Sequence, residues 1–184
     1  MTRRLLLQCL GMLLLLAGSA ARAFAIDFPD WYTLANAASQ NKTEDVQMML
    51  RRGDDPNFTD GAGRTPLGYA ASFGNTTMLK ALIDNRARVD YRDKLGRIAL
   101  HWAAELGQVE SVRLLLAAKS PVDATAPQGI TPLMLAASAN KAEAVKLLLA
   151  AGADAKKQDF TGRDALGWAA GKPAAQRILE AARG

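Results

Sequence analysis

The sequence predicts an all-α solenoid of about five helix-turn-helix repeats with protruding β-turns. A glycine recurs at intervals of 33 residues, at Gly63, Gly96, Gly129 and Gly162. Each of these glycines is followed by a leucine and then by an alanine pair at the same offsets. After each alanine pair, apolar residues recur with the spacing of one helix face. A fixed period in this length range indicates stacked repeats that bury their apolar faces against one another.

The first helix of each repeat is predicted to begin at a Thr-Pro pair or its equivalent. Thr65-Pro66 and Thr131-Pro132 place a capping hydroxyl before a proline. Proline suits the first helical position because its missing N–H would have no helical partner there. Gly74, Gly107 and Asn140 follow the alanine pairs at a matched position, where a left-handed backbone is expected to end the helix.

The second helix of each repeat carries apolar residues at i, i+3 and i+4, the pattern of one buried face. The four copies are Val46, Met49 and Leu50; Leu79, Leu82 and Ile83; Val112, Leu115 and Leu116; and Val145, Leu148 and Leu149. We expect these faces to contact the neighbouring repeat. After the helices, Gly53 and Gly152 supply helix-ending glycines, and Asp60, Asp93 and Asp159 are predicted to begin tight turns.

These motifs resemble the ankyrin-repeat family. Thr65-Pro66-Leu67, the run from Leu100 to Ala104, and Gly152-Ala153-Asp154 lie where the family pattern places them. The resemblance implies stacked L-shaped units whose turns and first helices line a concave side. We therefore predict an ankyrin-repeat domain over residues 26–184. Its repeats are predicted at about residues 27–59, 60–92, 93–125, 126–158 and 159–184, and the first copy is degenerate.

Departures from the family pattern predict local weakness. Arg86 and Lys119 replace helix-ending glycines, and a non-glycine residue at positive φ costs about 1 kcal/mol. Ile98-Ala99 replaces Thr-Pro in the third repeat and removes a cap worth about as much. We expect packing of Trp102 to offset that loss. The last repeat has Lys172-Pro173 in its turn and a mainly polar second helix, which predicts a polar end cap.

The beginning of the chain differs from the repeats. Arg3 and Arg4 precede an almost wholly apolar run over residues 5–17, and small-residue sites follow at Ala23 and Ala25. This pattern predicts a cleaved signal peptide over residues 1–25, with cleavage after either alanine. The run is shorter than the roughly 20 apolar residues of a transmembrane helix, so we expect no membrane span after cleavage. The short arginine-led signal favours a bacterial periplasmic address, with an extracellular one as the alternative.

Composition limits the partners of the exported chain. The 184 residues include 23 basic and 18 acidic ones, and signal cleavage would remove three arginines and leave a net charge of about +2. That charge is too small to predict nucleic-acid binding, which needs many clustered phosphate contacts. The single cysteine, Cys9, lies in the predicted signal, so no disulfide or thiol chemistry is expected in the mature chain.

The sequence offers little for catalysis or metal binding. His101 is the single histidine, and the resemblance implies that it hydrogen-bonds the turn backbone of its own repeat. Without a second histidine or a mature cysteine, a zinc site of the usual kind is excluded. The acid pairs Asp54-Asp55 and Asp90/Asp93 lack the spacing of a calcium loop and are interpreted as solvated turn residues. We predict no enzymatic activity, no cofactor and no metal.

Aromatic residues recur at one repeat position. Tyr69, Trp102 and Trp168 could form a ladder that serves as a ligand platform, but their period favours a place in the core between repeats. We therefore predict that they are structural.

The predicted binding surface comprises residues of the turns and of the ends of the first helices. The candidate partner-binding residues are Arg64, Phe73, Arg92, Lys94, Arg97, Leu106, Gln128, Ile130, Phe160 and Arg163. Exposed large apolar residues usually mark contact sites, and arginine and aromatic residues are the commonest anchors. Arginine recurs at one turn position in three repeats, which indicates a partner with acidic groups.

The predicted function is therefore binding of another protein through the concave side, by a chain that we expect to be monomeric. The alternative is an envelope structural or stress-protection protein without a single dedicated partner.

Overall fold

The computed structural model describes residues 32–183. All of the helices described here lie in one compact unit that begins at Thr33. The predicted signal peptide, both predicted cleavage sites and the beginning of the first predicted repeat lie outside the described residues.

Ten α-helices, one short 3-10 helix at Pro127–Gly129 and no strand occur within residues 32–183. The helices are α1 Leu34–Ser39, α2 Thr43–Arg52, α3 Pro66–Phe73, α4 Thr76–Asp84, α5 Ala99–Leu106, α6 Val109–Ala117, α7 Pro132–Ser138, α8 Ala142–Ala150, α9 Ala165–Trp168 and α10 Pro173–Ala181. Odd-numbered helices are the first helices of the repeats, and even-numbered helices are the second. The predicted all-α array of five helix-turn-helix repeats is confirmed.

The predicted helix starts are confirmed in the second and fourth repeats. The Thr65 hydroxyl accepts a hydrogen bond from the N–H of Gly68 at 3.1 Å, and the Thr131 hydroxyl accepts one from Met134 at 3.3 Å. In the third repeat, Ile98 has no side-chain cap to offer. The Nδ1 atom of His101 accepts a hydrogen bond from the Ile98 N–H at 3.2 Å, which satisfies a different donor from the one that a threonine cap binds.

Left-handed residues end the helices where the sequence predicts them. Gly74, Gly107 and Asn140 have φ values of 70°, 72° and 54° after the first helices. Arg86 and Lys119 both adopt φ 65° after the second helices, in the positions where other repeats have glycine. The predicted backbone strain at these two residues is therefore present.

The core lies between two layers, one of first helices and one of second helices. The alanine pairs of the first helices are fully buried where α1, α3, α5 and α7 pack side by side. Val46, Leu79, Val112 and Val145 are fully buried on the second helices. The i+4 members Ile83, Leu116 and Leu149 are only half-buried, so the buried stripe is narrower than predicted in these three helices.

The last repeat is shortened between its helices. The period places the start of its second helix at residue 175, but α10 begins at Pro173, and Gly171 at φ 71° provides the left-handed turn. On α10, Ala175 and Leu179 are buried, and the exposed positions include Arg177 and Glu180. This helix has the polar outward face that was predicted for an end cap.

Candidate functional site

Four tight turns protrude in front of the first helices at residues 60–63, 93–96, 126–129 and 159–162. Each is closed by a hydrogen bond from the N–H of the period glycine to the carbonyl of the first turn residue, at 2.8–3.1 Å. In three of them that residue is an aspartate. The Oδ1 atom of Asp93, for example, accepts the N–H groups of Leu95 and Arg97, both at 2.9 Å. Asp60 and Asp159 accept the corresponding pairs, so this carboxylate oxygen fixes the turn.

The other carboxylate oxygen binds an aromatic side chain on the first helix. Trp102 Nε1 donates to Asp93 Oδ2 at 3.0 Å, and Trp168 Nε1 donates to Asp159 Oδ2 at 2.9 Å. In the second repeat the Tyr69 hydroxyl donates to Asp60 Oδ2. Each aspartate therefore ties its turn to the helix behind it.

An arginine of the same turn covers each aromatic ring. The guanidinium carbon lies 4.3 Å from the ring centroid for Arg64 on Tyr69, and 4.7 Å for both Arg97 on Trp102 and Arg163 on Trp168. These are cation–π distances. We call the three side chains of one repeat the Asp-Arg-aromatic unit; the copies are Asp60, Arg64 and Tyr69; Asp93, Arg97 and Trp102; and Asp159, Arg163 and Trp168.

The prediction that these aromatic residues belong to the core between repeats is wrong. Tyr69, Trp102 and Trp168 are each half-buried, because their polar edges bond to the turn aspartates and the arginines cover one ring face. Arg64 also lies 4.0 Å from the Trp102 centroid, so its guanidinium contacts the rings of two consecutive repeats. We call the surface formed by the four turns and the exposed residues of the first helices the inner face.

Glycine at residue 68 gives Arg64 the space to lie along the helix. A Cβ atom at Gly68 would lie only 3.3 Å from Arg64 Cγ, and Arg64 donates a hydrogen bond to the Gly68 carbonyl at 3.2 Å. A Cβ atom at this position would require the Arg64 side chain to shift by a few tenths of an ångström.

Hydrogen bonds and burial fix the ionisation states of Asp60 and Tyr69 in the unit of the second repeat. Burial raises the pKa of Asp60, but hydrogen bonds from Tyr69 and from the turn backbone outweigh it and hold that pKa below its usual range. Burial and the hydrogen bond to Asp60 raise the pKa of Tyr69 to about 12. At neutral pH the carboxylate is therefore ionised and the phenol remains a donor.

The fourth repeat lacks all three side chains of the unit. Ala126, Ile130 and Leu135 stand at the aspartate, arginine and aromatic positions. The turn still closes, because the Ala126 N–H donates to the Ile130 carbonyl at 2.8 Å. Ile130 is half-exposed, whereas Leu135 is 4% exposed. The inner face therefore has an apolar position between the units of the third and fifth repeats.

All ten predicted binding residues lie on the turns, beside them or at the ends of first helices. Phe73, Leu106 and Phe160 are 46%, 47% and 84% exposed. The half-buried members are Arg64, Arg97 and Ile130, and the remaining exposed members are Arg92, Lys94, Gln128 and Arg163.

Several predicted cations have partners within the protein. Arg92 donates to the carbonyls of Gly96 and Thr125, at 2.9 and 2.5 Å, and so bridges the turns of the third and fourth repeats. Lys94 donates to the Gly61 carbonyl at 2.7 Å and bridges the turns of the second and third repeats.

Glu105 forms an ion pair with Arg97. Its Oε2 atom accepts a hydrogen bond from Arg97 at 2.6 Å, and neither side chain of this pair is fully exposed. The ion pair uses one edge of the Arg97 guanidinium, and it joins the turn to the last helical turn of α5.

The sequence reading missed the turn aspartates and the aromatic residues as parts of the binding surface. The signal was available, because an arginine follows each aspartate by four residues and an aromatic residue follows the arginine by five. The joint replacement of all three in the fourth repeat is a second signal of their interaction.

His101 is a structural residue at the junction of two repeats. It is fully buried, and its Nε2 atom lies 3.3 Å from the Ile130 carbonyl of the next repeat. The bond to Ile98 is made within its own repeat, but at the N-cap of α5 and not in the turn that the resemblance implied, and the second contact reaches the next repeat. Burial, together with the positive charges of Arg97 and Arg92, lowers the pKa of His101 to about 4.

The part of the chain covered by the structure contains no group of three or more side chains that could hold a metal ion. Over the same residues, no helix is both long enough and apolar enough to cross a membrane.

A sequence profile described as ankyrin repeats, in three copies, matches residues 34–126 and 118–183. No curated protein matches the chain.

Proposed function

The chain belongs to the ankyrin-repeat family, whose members are generally protein–protein interaction modules, and we propose that it binds a partner protein through the inner face. We further propose that it does so as an exported bacterial protein in the periplasm. The family is typically non-enzymatic, which agrees with a binding role.

The proposal rests chiefly on the exposure of large apolar side chains beside arginines on one face. Phe73, Leu106 and Phe160 expose about half or more of their surface, although most of the apolar side chains of the repeat domain are buried. Such residues commonly anchor protein interfaces when they lie among arginines and aromatic rings. The aromatic rings here also hold the guanidinium groups in place, which lowers the entropic cost of binding.

Charge supports a partner with an acidic surface. The oxygens of the turn aspartates are occupied by backbone N–H groups and aromatic donors, so they are not free acceptors for a partner. Arg92, Lys94 and Arg163 are exposed on the same face. Complementary charge of this kind increases association rates and partner specificity.

The proposed location rests on the sequence of residues 1–25. An arginine-led apolar run followed by Ala-x-Ala sites is the pattern of an export signal. A periplasmic protein with this face would recognise another exported protein.

Affinity capture from the exported fraction of the native cell tests the proposal. The tagged chain, expressed from its full sequence, is compared with a variant that carries Phe73→Ala, Arg97→Glu and Leu106→Ala. We expect one or a few proteins to be retained by the native chain and lost from the variant. Circular dichroism and thermal unfolding establish that the variant is folded.

A matched variant on the second helices serves as the control. Arg113→Glu, Leu114→Ala and Leu147→Ala reverse one arginine and truncate two half-exposed leucines on α6 and α8. The control is expected to retain the partner. Equal capture by all three proteins would contradict the proposal and favour an envelope structural role without a single partner.

A further inference from the structure

The fourth repeat differs from its neighbours in a coordinated way. Its turn closes with the same two backbone hydrogen bonds as the other turns, although Gln128 adopts φ 67°, a left-handed backbone that the matched residues of the other turns do not have. The aspartate, arginine and aromatic residue are all replaced by apolar residues. Loss of the aspartate alone would leave an aromatic N–H or O–H without its acceptor, and loss of the aromatic ring alone would leave the arginine uncovered. The joint change avoids both costs and creates an apolar interruption in a cationic row.

Exposed apolar surface marks this interruption. Ile130 is half-buried and Leu135 is buried. Beside them, Phe160 lies against the turn of the fourth repeat, because its N–H donates to the Gln128 carbonyl at 2.8 Å. A Cβ atom at Gly129 would lie 3.1 Å from the Phe160 ring. The ring therefore lies close to the Gly129 backbone, where a side chain would crowd it. The ring remains 84% exposed although it is held at a defined place.

Cations border the interruption on both sides. Arg97 lies on the ring of Trp102 in the preceding repeat, and Arg163 lies on the ring of Trp168 in the following one. Arg97 donates to Glu105 through Nη1, and Arg163 is paired with Asp159. A guanidinium group has five N–H donors in a fixed fork, so each retains donors that a further carboxylate can use.

We propose that the fourth repeat is an anchor subsite for a short, extended, acidic segment of the partner protein. One aromatic or large aliphatic side chain of that segment packs on Ile130 and Phe160. Carboxylates on either side of it bind Arg97 and Arg163. This inference rests on the proposed function, and it specifies the chemistry of the partner.

The repeat spacing sets the pattern of that segment. Packed helices lie about 8–10 Å apart, so matched positions in consecutive repeats are separated by about 10 Å. An extended chain advances about 3.3 Å per residue, so about three residues span one repeat. The segment therefore carries an acidic residue about three positions before the apolar anchor and another about three positions after it.

Selection from a random linear peptide library tests this pattern directly. The immobilised chain is expected to enrich peptides with an apolar residue flanked by acids at about three positions on each side. Fluorescence anisotropy with an enriched, labelled peptide then gives its affinity. Substitution of the anchor by alanine, or of both acids by lysine, is expected to weaken binding at least ten-fold.

A variant that restores the unit in the fourth repeat identifies the subsite. Ala126→Asp, Ile130→Arg and Leu135→Trp together install side chains that the third and fifth repeats already accommodate at these positions. We expect the variant to fold and to bind the enriched peptide at least ten-fold more weakly. The added aspartate and arginine leave the net charge unchanged, so a loss of affinity reports the apolar anchor and not a change in net charge.

Arg163→Gln provides the matched test of the flanking cation. It is expected to weaken binding of the enriched peptide and to have little effect on binding of a peptide that lacks the acid at that end. Failure to enrich any peptide, enrichment of basic peptides, or undiminished binding by the triple variant would overturn the inference. None of these results would affect the capture of a whole partner by the inner face, on which the proposed function depends.

Discussion

At the scale of single residues, the turn aspartates connect backbone geometry to the inner face. One oxygen of Asp93 holds two turn N–H groups, and the other holds the indole of Trp102. The indole in turn supports Arg97. A side chain that stabilises the fold therefore also positions the cation that we assign to binding.

His101 joins two repeats in its neutral form. Its Nδ1 atom accepts from the Ile98 N–H, which requires that nitrogen to be unprotonated, and Nε2 is then the donor to the Ile130 carbonyl. Protonation of the buried ring would break the Ile98 bond and place a charge near Arg97 and Arg92.

The stability of the protein is expected to decrease in acid because of His101. Its pKa is about 4 in the folded protein, against an ordinary value of 6.5. The unfolded chain therefore binds more protons as the pH falls below 6.5, which removes about 2 kcal/mol of stability between pH 7 and pH 5. Urea unfolding at both pH values measures the loss. A His101→Gln variant should be less stable at pH 7 and should lack most of this pH dependence; an unchanged dependence would show that other groups cause it.

At the scale of the helix, the second helices of the first four repeats end in two ways. Gly53 and Gly152 end theirs at φ 94° and 88° without strain, whereas Arg86 and Lys119 adopt φ 65° with a side chain in place. The helices form nevertheless, because the buried faces of α4 and α6 outweigh a cost of about 1 kcal/mol at each end.

Substitutions at these helix ends should have opposite effects. Arg86→Gly and Lys119→Gly are each expected to stabilise the protein by roughly 0.5–1 kcal/mol, because they relieve the positive-φ strain. Gly53→Ala should destabilise it by about 1 kcal/mol, although a Cβ atom there would meet no neighbour within 4 Å. Thermal or urea unfolding measures all three. If the two glycine variants were destabilised, the left-handed geometry at residues 86 and 119 would not be the source of strain.

The helices could be predicted from the sequence because their signals are local and repeated. Thr65, Gly74 and the i, i+3, i+4 stripes each specify a cap, an end or a face without reference to other repeats. The shortened fifth repeat could be located only roughly, since Gly171 and Pro173 both fit a turn and the period no longer applies. The half-burial of Ile83 was missed because periodicity does not show how wide the contact between second helices is.

At the scale of the whole repeat unit, the position of the binding surface was easier to predict than its construction. The ten candidate residues do fall on the turns and the ends of first helices, because a 33-residue period returns equivalent positions to one face. The sequence analysis assigned Trp102 to the core because it recurs once per repeat, but residues of a surface row recur with the same period. Only the three-dimensional contacts with Asp93 and Arg97 distinguish the two.

Hydrogen–deuterium exchange of the chain, alone and saturated with the partner recovered by affinity capture, tests the central claim most directly. Binding through the inner face predicts slower exchange in the turns at residues 93–97, 126–130 and 159–163 and in the first helices behind them. The second helices α4, α6 and α8 should exchange as they do in the free chain. Protection confined to those second helices, with no protected turn, would contradict the claim that the inner face binds the partner.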